Sequence, residues 1–149
     1  MSGKAFVDTN ILIYAHDEST GSKQPRAMRL IDTLWEERRG VLSTQVLQEF
    51  AVNLRRVVAV PLSHSEVRRR IQNFLSWEVV SDPPRAILRS LEIEERYQLS
   101  FWDAMIVQAA ESAGCEILYS EDFTHGREYE GVLVVNPFVE SGLEAGGTE

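Results

Sequence analysis

The sequence predicts a single α/β domain in which a short, mainly parallel sheet is covered by helices on both faces. Short apolar runs alternate along the chain with longer segments whose apolar residues recur at helical spacing. Each of these runs is followed by polar or turn-forming residues, as expected of buried strands that feed helices. We expect residues 1–139 to form the domain, without an internal repeat or linker, and residues 140–149 to form a flexible tail.

The first strand and the first helix meet at a polar junction. The apolar run Ala5–Val7 ends at Asp8, and apolar residues resume at Ile11. We therefore expect a buried strand followed by a helix whose N-cap is Thr9 or Asn10.

The next segment predicts a loop, a helix and a strand. Residues 18–24 are polar and contain a glycine, which is typical of a loop. An amphipathic helix is predicted over residues 25–39, beginning with a proline and stopping at Gly40. Residues 41–42 are predicted to form a short strand.

Two further helices follow this strand. One is expected to begin near Ser43 or Thr44 and to be ended by Pro61. The other begins at a capping box, in which Ser63 is followed three residues later by Glu66.

The second half of the chain repeats the alternation. Residues 77–80 resemble a strand, and a helix follows Pro84. Ser100 and Asp103 repeat the capping pattern before another apolar helix, which Gly114 closes. The helix after Pro84 is predicted to bury an apolar stripe made of Ala86, Ile87, Leu88, Leu91 and Tyr97.

The last elements are two strands joined by a loop. Ile117–Tyr119 is a short apolar run that ends in polar residues. A polar loop through His125 and Gly126 is expected to lead directly into the last strand, Val132–Val135.

The composition is that of an ordinary folded protein. The chain has 149 residues, of which 44% are hydrophobic, and a formal net charge of −8. Its single cysteine, Cys115, excludes an intramolecular disulfide and a zinc site built from cysteines. No apolar run approaches the roughly 18 residues that span a membrane, and the apolar stretch before Asp8 is too short for a signal peptide. We expect a cytoplasmic protein with no membrane partner.

The acidic balance argues at first against a nucleic-acid partner, because phosphate backbones favour basic surfaces. Of the 15 basic residues, however, only Lys4 and Lys23 are lysines, and the arginines include runs at residues 38–39, 55–56 and 68–70. Arginine pairs bidentately with phosphate, although such runs more often form solvated helix faces. The net charge therefore leaves the partner open.

Each of four acidic residues, taken alone, has an ordinary structural explanation. For the four taken together, that explanation is weaker. Asp8 directly follows one apolar strand and Asp122 follows another, Ile117–Tyr119; aspartate commonly forms turns at such positions. Glu49 lies beside the apolar stripe of its helix, and Asp103 lies in a first helical turn, where it would stabilise the helix dipole. Because parallel strands end at one edge of a sheet, this fold is expected to bring several of these acids together.

A cluster of four carboxylates is unfavourable by itself, because repulsion and desolvation raise the pKa of each group. Cations relieve this cost, and oxygen ligands of this kind suit Mg²⁺ or Mn²⁺. No cysteine or nearby histidine adds a softer ligand. The acids therefore point to metal-assisted phosphoryl chemistry.

Four segments resemble the acidic motifs of the PIN domain family, in the family's order and at similar spacing. The segments and their acids are residues 6–15 with Asp8, residues 45–50 with Glu49, residues 101–106 with Asp103, and residues 118–123 with Asp122. The last segment, with His125, Gly126 and residues 135–138, resembles the end of the VapC-type toxins of that family. The resemblance covers residues 4–138.

The resemblance implies a three-layer α/β/α sandwich and a metal-dependent ribonuclease that uses Mg²⁺ or Mn²⁺ to cut RNA. It also implies a small antitoxin that covers the active site, and commonly a homodimer. By position, the residues implied to hold the metal are Asp8, Glu49, Asp103 and Asp122. Thr9 or Asn10, and Ser120, match positions that support the metal or its waters.

Two nearby residues match no ligand position in the family. Glu121 is expected to face solvent. His125 is expected to make a local hydrogen bond rather than to bind metal.

Two alternatives to the nuclease remain. A phosphatase of the haloacid dehalogenase type would use Asp8 as a nucleophile, but its usual second aspartate would fall at Asn10. A non-catalytic binding module of the same fold would use the acids only to hold a structural ion.

Overall fold

A computed structural model of the protein describes residues 3–139, which form six strands in one sheet and six α-helices. The predicted tail, residues 140–149, lies outside the described residues. The strands are β1 (Ala5–Val7), β2 (Gly40–Ser43), β3 (Glu78–Val80), β4 (Ile117–Tyr119), β5 (Glu128–Tyr129) and β6 (Val132–Val135). The helices are α1 (Thr9–His16), α2 (Lys23–Glu37), α3 (Thr44–Arg56), α4 (His64–Phe74), α5 (Ala86–Tyr97) and α6 (Phe101–Ser112). A 3₁₀ turn, Glu18–Thr20, lies in the loop between α1 and α2.

The sheet has the strand order β3-β2-β1-β4-β6-β5. Every neighbouring pair is parallel except β5 and β6, which are antiparallel. The prediction of a mainly parallel sheet is confirmed. The prediction of an uninterrupted loop before the last strand is wrong, because Glu128–Tyr129 pairs with β6 at the sheet edge.

Helices cover both faces of the sheet. From β1 to β2 and from β2 to β3 the chain moves across the sheet in one direction. From β3 to β4 it returns across the sheet to the other side of β1. Because such crossovers are right-handed, α1 to α4 lie on one face and α5 and α6 on the other. In agreement, α1 packs against α2 and α3, α3 packs against α4, and α5 packs against α6. The central strand β1 is fully buried, which completes the predicted three-layer α/β/α sandwich.

The start of α1 differs from the prediction. Its N-cap is Asp8, whose carboxylate accepts a hydrogen bond from the backbone N–H of Thr9 at 2.7 Å. Thr9 and Asn10 instead lie inside the first turn. The other predicted caps are confirmed, including Ser43, the capping box of Ser63 with Glu66, and Ser100.

The end of α2 also differs from the prediction. The helix stops at Glu37, and Arg38 adopts the left-handed conformation, with φ of 57°, that was expected of a glycine. Gly40 lies in β2 instead, where a side chain would overlap the ring of Trp77. The next helix, α3, ends at Arg56 rather than continuing to Pro61.

The outer face of α5 is apolar and exposed. The predicted apolar stripe is only partly buried, because Ile87, Leu88 and Leu91 are exposed while Ala86 and Ile93 face the core. Part of the stripe is therefore not buried in the core of this chain. None of the helices within residues 3–139 is long and apolar enough to cross a membrane.

Candidate active site

The predicted acids lie at the carboxyl edge of the sheet. Asp8 follows β1 and Asp122 closely follows β4, and these two strands are parallel neighbours. The backbone N–H of Asp8 donates to the carbonyl of Tyr119 at 3.0 Å, which fixes the end of β1 against the end of β4. Asp8 and Asp122 therefore follow neighbouring strands and lie at the same edge of the sheet.

Ser120 links Asp8 to Asp122. Its hydroxyl donates to Asp8 Oδ2 at 2.8 Å and accepts from the backbone N–H of Asp122 at 3.0 Å. Ser120 is buried, and Asp8 is only 5% exposed. Since Asp8 Oδ1 accepts from the N–H of Thr9, both carboxylate oxygens of Asp8 are oriented by the fold.

Glu49 is attached to the same cluster from α3. The hydroxyl of Thr9 donates to Glu49 Oε1 at 2.5 Å. Gln45, one turn earlier on α3, donates from Nε2 to Glu49 Oε2 and to the backbone carbonyl of Trp102, both at 3.3 Å. Gln45 therefore joins α3 to the first turn of α6, which carries Asp103.

Asp122 and Asp103 form the more open side of the site. The amide of Asn10 donates to Asp122 Oδ2 at 3.2 Å. Asp103 is half-buried, and its backbone N–H donates to the N-cap hydroxyl of Ser100 at 3.1 Å. The carboxylate of Asp103 interacts electrostatically with Asp122 and Glu49, so the fold brings all four predicted acids to one region.

The environment disfavours the charged form of three of these acids. Burial raises the pKa of Asp8 to about 7, and the charges of Asp122 and Glu49 add to this effect against the hydrogen bonds from Ser120 and Thr9. Burial also raises the pKa of Asp103, with the charges of Asp122 and Glu49 acting in the same direction. Asp122 is exposed as a residue, yet partial enclosure of its carboxylate is the main reason that its pKa is raised.

The prediction that Glu121 faces solvent is wrong. Its carboxylate accepts hydrogen bonds from the hydroxyl of Tyr14 and from Lys23 Nζ, the latter at 2.9 Å. The Lys23 ammonium also lies 4.7 Å from the centre of the Tyr14 ring. The two partners hold Glu121 near α1 and α2, while its charge contributes to the raised pKa of Asp122.

His125 makes the local hydrogen bond that was expected. Its Nδ1 accepts from the backbone N–H of Asn136 at 3.0 Å. The ring therefore joins the loop after β4 to the end of β6.

The donor chemistry of the site suits a hard divalent cation, because it consists of carboxylate oxygens. Within residues 3–139, none of the four acids forms an ion pair with a lysine or arginine. Among the same residues, the buried carboxylate of Asp8 therefore lacks a side-chain counter-ion. In the same part of the chain, no three acidic, histidine or cysteine side chains are already close enough to hold a metal.

The sequence did not predict the role of Gln45 as a bridge between α3 and α6. The spacing of Gln45 and Glu49 could have indicated their contact, because residues four positions apart on a helix lie on the same side. Gln45 therefore had to share a face with Glu49. Its contact with Trp102 could not be read from the sequence, because it joins residues 57 positions apart.

The chain is thus an α/β protein of the three-layer sandwich class. Its acidic site lies at the carboxyl edge of a mainly parallel sheet. The PIN domain family matches residues 5–127, and the chain belongs to this family. No curated protein matches the chain.

Several solved structures share the fold at low sequence identity. A toxin–antitoxin complex from Klebsiella pneumoniae has a TM-score of 0.68 at 20% identity, covering 91% of this chain and 98% of the other. The sarcin–ricin loop cleaving toxin VapC20 from Mycobacterium tuberculosis has a TM-score of 0.63 at 20% identity, covering 80% and 90%. DNA-bound VapBC from Salmonella typhimurium has a TM-score of 0.63 at 17% identity, covering 89% and 96%.

Proposed function

We propose that this protein is a divalent-metal-dependent endoribonuclease and the toxin of a toxin–antitoxin pair, acting in the cytoplasm. The observation that carries the proposal is the convergence of Asp8, Glu49, Asp103 and Asp122 at one edge of the sheet, without a basic partner among residues 3–139. Such a cluster needs a cation, and Mg²⁺ is the first candidate, with Mn²⁺ as an alternative.

The similar structures support the substrate and the partner. One is described as a toxin that cleaves the sarcin–ricin loop, which is consistent with RNA as the substrate class here. Others are toxin–antitoxin complexes, two of them with DNA. By analogy, we propose a small cognate antitoxin that covers the acids of this chain.

The residues would divide the work as follows. Asp8 and Asp103 would hold the cation chiefly, and Glu49 and Asp122 would bind it directly or through water. Ser120 and Thr9 keep the carboxylates of Asp8 and Glu49 oriented by the hydrogen bonds described above. A bound divalent ion lowers the pKa of a coordinated water and offsets charge on the phosphodiester, so that no histidine base is needed.

An antitoxin could silence this site by charge. An arginine from the partner, inserted among the acids, would form charge-assisted hydrogen bonds with carboxylates that have no basic partner within residues 3–139. It would also compete with the cation for the same negative charge.

We also propose that the protein forms a homodimer. The exposed apolar side chains of Ile87, Leu88 and Leu91 on α5 support this proposal, because the core of a single chain leaves them uncovered. A second copy would bury this face against its own.

The test is a comparison of cleavage by the wild-type protein and by Asp8→Asn. Cellular RNA is incubated with each protein in Mg²⁺, in Mn²⁺ and in EDTA, and the new RNA ends are sequenced. We expect defined cleavage sites with wild type and metal only. Since metal stabilisation of the transition state contributes several kcal/mol, Asp8→Asn should lose at least ~100-fold in rate.

Asp32→Asn, an exposed substitution on α2, is the matched control and should cleave as wild type does. Equal cleavage by Asp8→Asn and wild type, from preparations free of contaminating nuclease, would contradict the site assignment. Tight RNA binding without cleavage in either metal would instead favour the non-catalytic binding module. The family match and Asn10 disfavour the phosphatase, which trapping of a phosphoryl group on Asp8 would restore.

The antitoxin is tested separately with the product of a small neighbouring reading frame. Adding this protein to the cleavage reaction should stop the appearance of new RNA ends. Cleavage that continues at saturating amounts of the neighbour would show that it is not the inhibitor.

A further inference from the structure

An exposed tryptophan stands beside the acids. Trp102 is 63% exposed, although tryptophan is usually well buried on average. It lies in the first turn of α6 and directly precedes Asp103. The core-facing side of α6 is supplied by residues 104–110, all of which are buried. The fold of this chain therefore does not need the indole of Trp102 for its core.

The position of Trp102 is tied to the acidic site. Its backbone carbonyl accepts a hydrogen bond from Gln45 Nε2 at 3.3 Å, and the same amide group donates to Glu49. Its ring packs edge-on against Phe101, with ring centres 5.2 Å apart. The indole is thus held on one side by an aromatic neighbour, and its backbone is joined to a carboxylate of the site.

The four acids themselves offer no positive charge to an RNA phosphate. Within residues 3–139 no basic side chain pairs with the four acids, and the whole chain has a formal charge of −8. Phosphate contacts usually supply much of the affinity for nucleic acid, and they favour basic groups. Stacking of a base on an aromatic ring supplies affinity without positive charge.

We propose that Trp102 stacks on an unpaired nucleobase next to the phosphodiester that is cut. This inference rests on the proposed ribonuclease function. A paired base in a helix has its faces covered by its neighbours, whereas a base in a loop or a single strand is free to stack on a side chain. The backbone of Trp102 is joined directly to Asp103 and, through Gln45, to Glu49, which places this residue at the margin of the acidic site.

A nucleobase fits Trp102 better than a protein partner does. Trp102 and Ser112 are the exposed residues of α6, so the ring is a single aromatic group rather than part of an apolar face of that helix. A protein interface usually presents several apolar residues together around such an anchor. One flat ring at the margin of a carboxylate site suits one flat base.

The experiment measures binding of RNA to proteins that all carry Asp8→Asn, so that the RNA is not cut. The probes are oligouridylate and oligoadenylate of about ten nucleotides, a length within the range of single-domain sites, added in the presence of Mg²⁺. Trp102→Ala should weaken binding roughly 5- to 100-fold, the range measured for loss of one base–aromatic stack, and Trp102→Phe should retain most of the affinity. RNA should quench the tryptophan fluorescence of the parent but much less that of Trp102→Phe.

Two controls separate stacking from other effects. Val57→Ala, which removes an equally exposed apolar side chain just after α3, should bind these probes as the parent does. An oligomer of abasic ribose phosphate, or a duplex of the same length, should bind Trp102→Ala and the parent equally.

The outcomes distinguish this inference from the proposed function. If wild type cleaves RNA but Trp102→Ala cleaves with the same KM and binds the probes equally well, the role of Trp102 is overturned and the ribonuclease stands. If Trp102→Ala changes the oligomeric state in light scattering, the ring belongs to a protein interface and the inference is also overturned. If wild type neither binds nor cleaves RNA, the proposed function fails together with this inference.

Discussion

Asp8 combines three roles that make opposite demands on its charge. It caps α1, accepts a hydrogen bond from Ser120, and is proposed to hold the cation. The first two roles need only an oxygen acceptor, whereas cation binding needs the carboxylate. Burial of that carboxylate raises its pKa to about 7, so the protein keeps a destabilising group where the proposed chemistry requires it.

Asp8→Asn should therefore stabilise the protein in a pH-dependent way. The pKa of Asp8 is about 7 in the folded protein against an ordinary value of 3.8. Folding thus favours the protonated form, and the stability that depends on this group is fully present below pH 3.8 and lost as the pH rises to about 7. Asparagine does not ionise and caps helices equally well, so the variant should gain roughly 2–4 kcal/mol at about pH 8.

Thermal unfolding in EDTA at about pH 4 and about pH 8 measures this effect. The gain of Asp8→Asn over wild type should be small at the lower pH and large at the higher one. Asp32→Asn, which replaces an exposed aspartate on α2, should give no such change. A gain that is the same at both pH values would contradict the role of ionisation.

The sequence predicted the acids of the site better than their partners. Asp8 and Asp122 could be found because a strand end fixes the position of the next residues at the edge of a sheet. The partners of Glu121 could not be found, because Tyr14 is 107 positions away in sequence and comes close only when α1 packs beside the end of β4. A polar residue in an isolated motif is by default expected to face solvent.

At the scale of elements, the ends of helices were the least predictable part of the fold. Both α2 and α5 end at a residue in the left-handed conformation, Arg38 and Gln98, each with φ of 57°. Glycine is usual at this position, so arginine and glutamine at residues 38 and 98 do not indicate a helix end. The nearby Gly40 misled the prediction because it serves another purpose, the close approach of Trp77 to β2.

Replacing Arg38 or Gln98 by glycine should stabilise the protein. A left-handed conformation costs an ordinary residue roughly 1 kcal/mol, and glycine adopts it without this cost. After allowance for the larger entropy of glycine in the unfolded chain, each substitution should raise the free energy of unfolding by about 0.5 kcal/mol. Urea unfolding of the single variants and of the double variant measures the gain.

A matched substitution tests the reason for this gain. Gln48→Gly, at an exposed interior position of α3, should be destabilising by roughly 0.5–1 kcal/mol. Destabilisation by Arg38→Gly of the same size would show that the left-handed conformation is not the source of the effect.

Strand β5 escaped prediction for a different reason. Glu128–Tyr129 is a strand of two residues, too short to show an alternating pattern. It becomes a strand only because the turn at Glu130 and Gly131 folds it back against β6. The longer alternation of strands and helices, in contrast, was enough to predict the layers and the parallel pairing.

At the scale of the whole molecule, two of the arginine runs lie away from the four acids. The four acids lie at the carboxyl edge of the sheet, whereas Arg38 and Arg39 directly precede β2 and lie at the opposite edge. Arg55 and Arg56 lie in the last turn of α3, the end of the helix away from its N-cap at β2. These arginine runs therefore do not neutralise the acidic site, and net charge alone says little about what binds there.

The exposed face of α5 leads to a prediction about assembly. Leu88 is 67% exposed and lies beside Ile87 and Leu91 on the outer side of the helix, so a charge at Leu88 should disrupt a dimer formed through this face without affecting the core. Leu88→Glu should convert a dimer in light scattering to a monomer, with unchanged secondary structure. Val57→Glu, at an equally exposed position just after α3, is the control and should remain dimeric. A wild-type monomer at all concentrations, or a dimer that survives Leu88→Glu, would mean that this apolar face is not covered by a second copy.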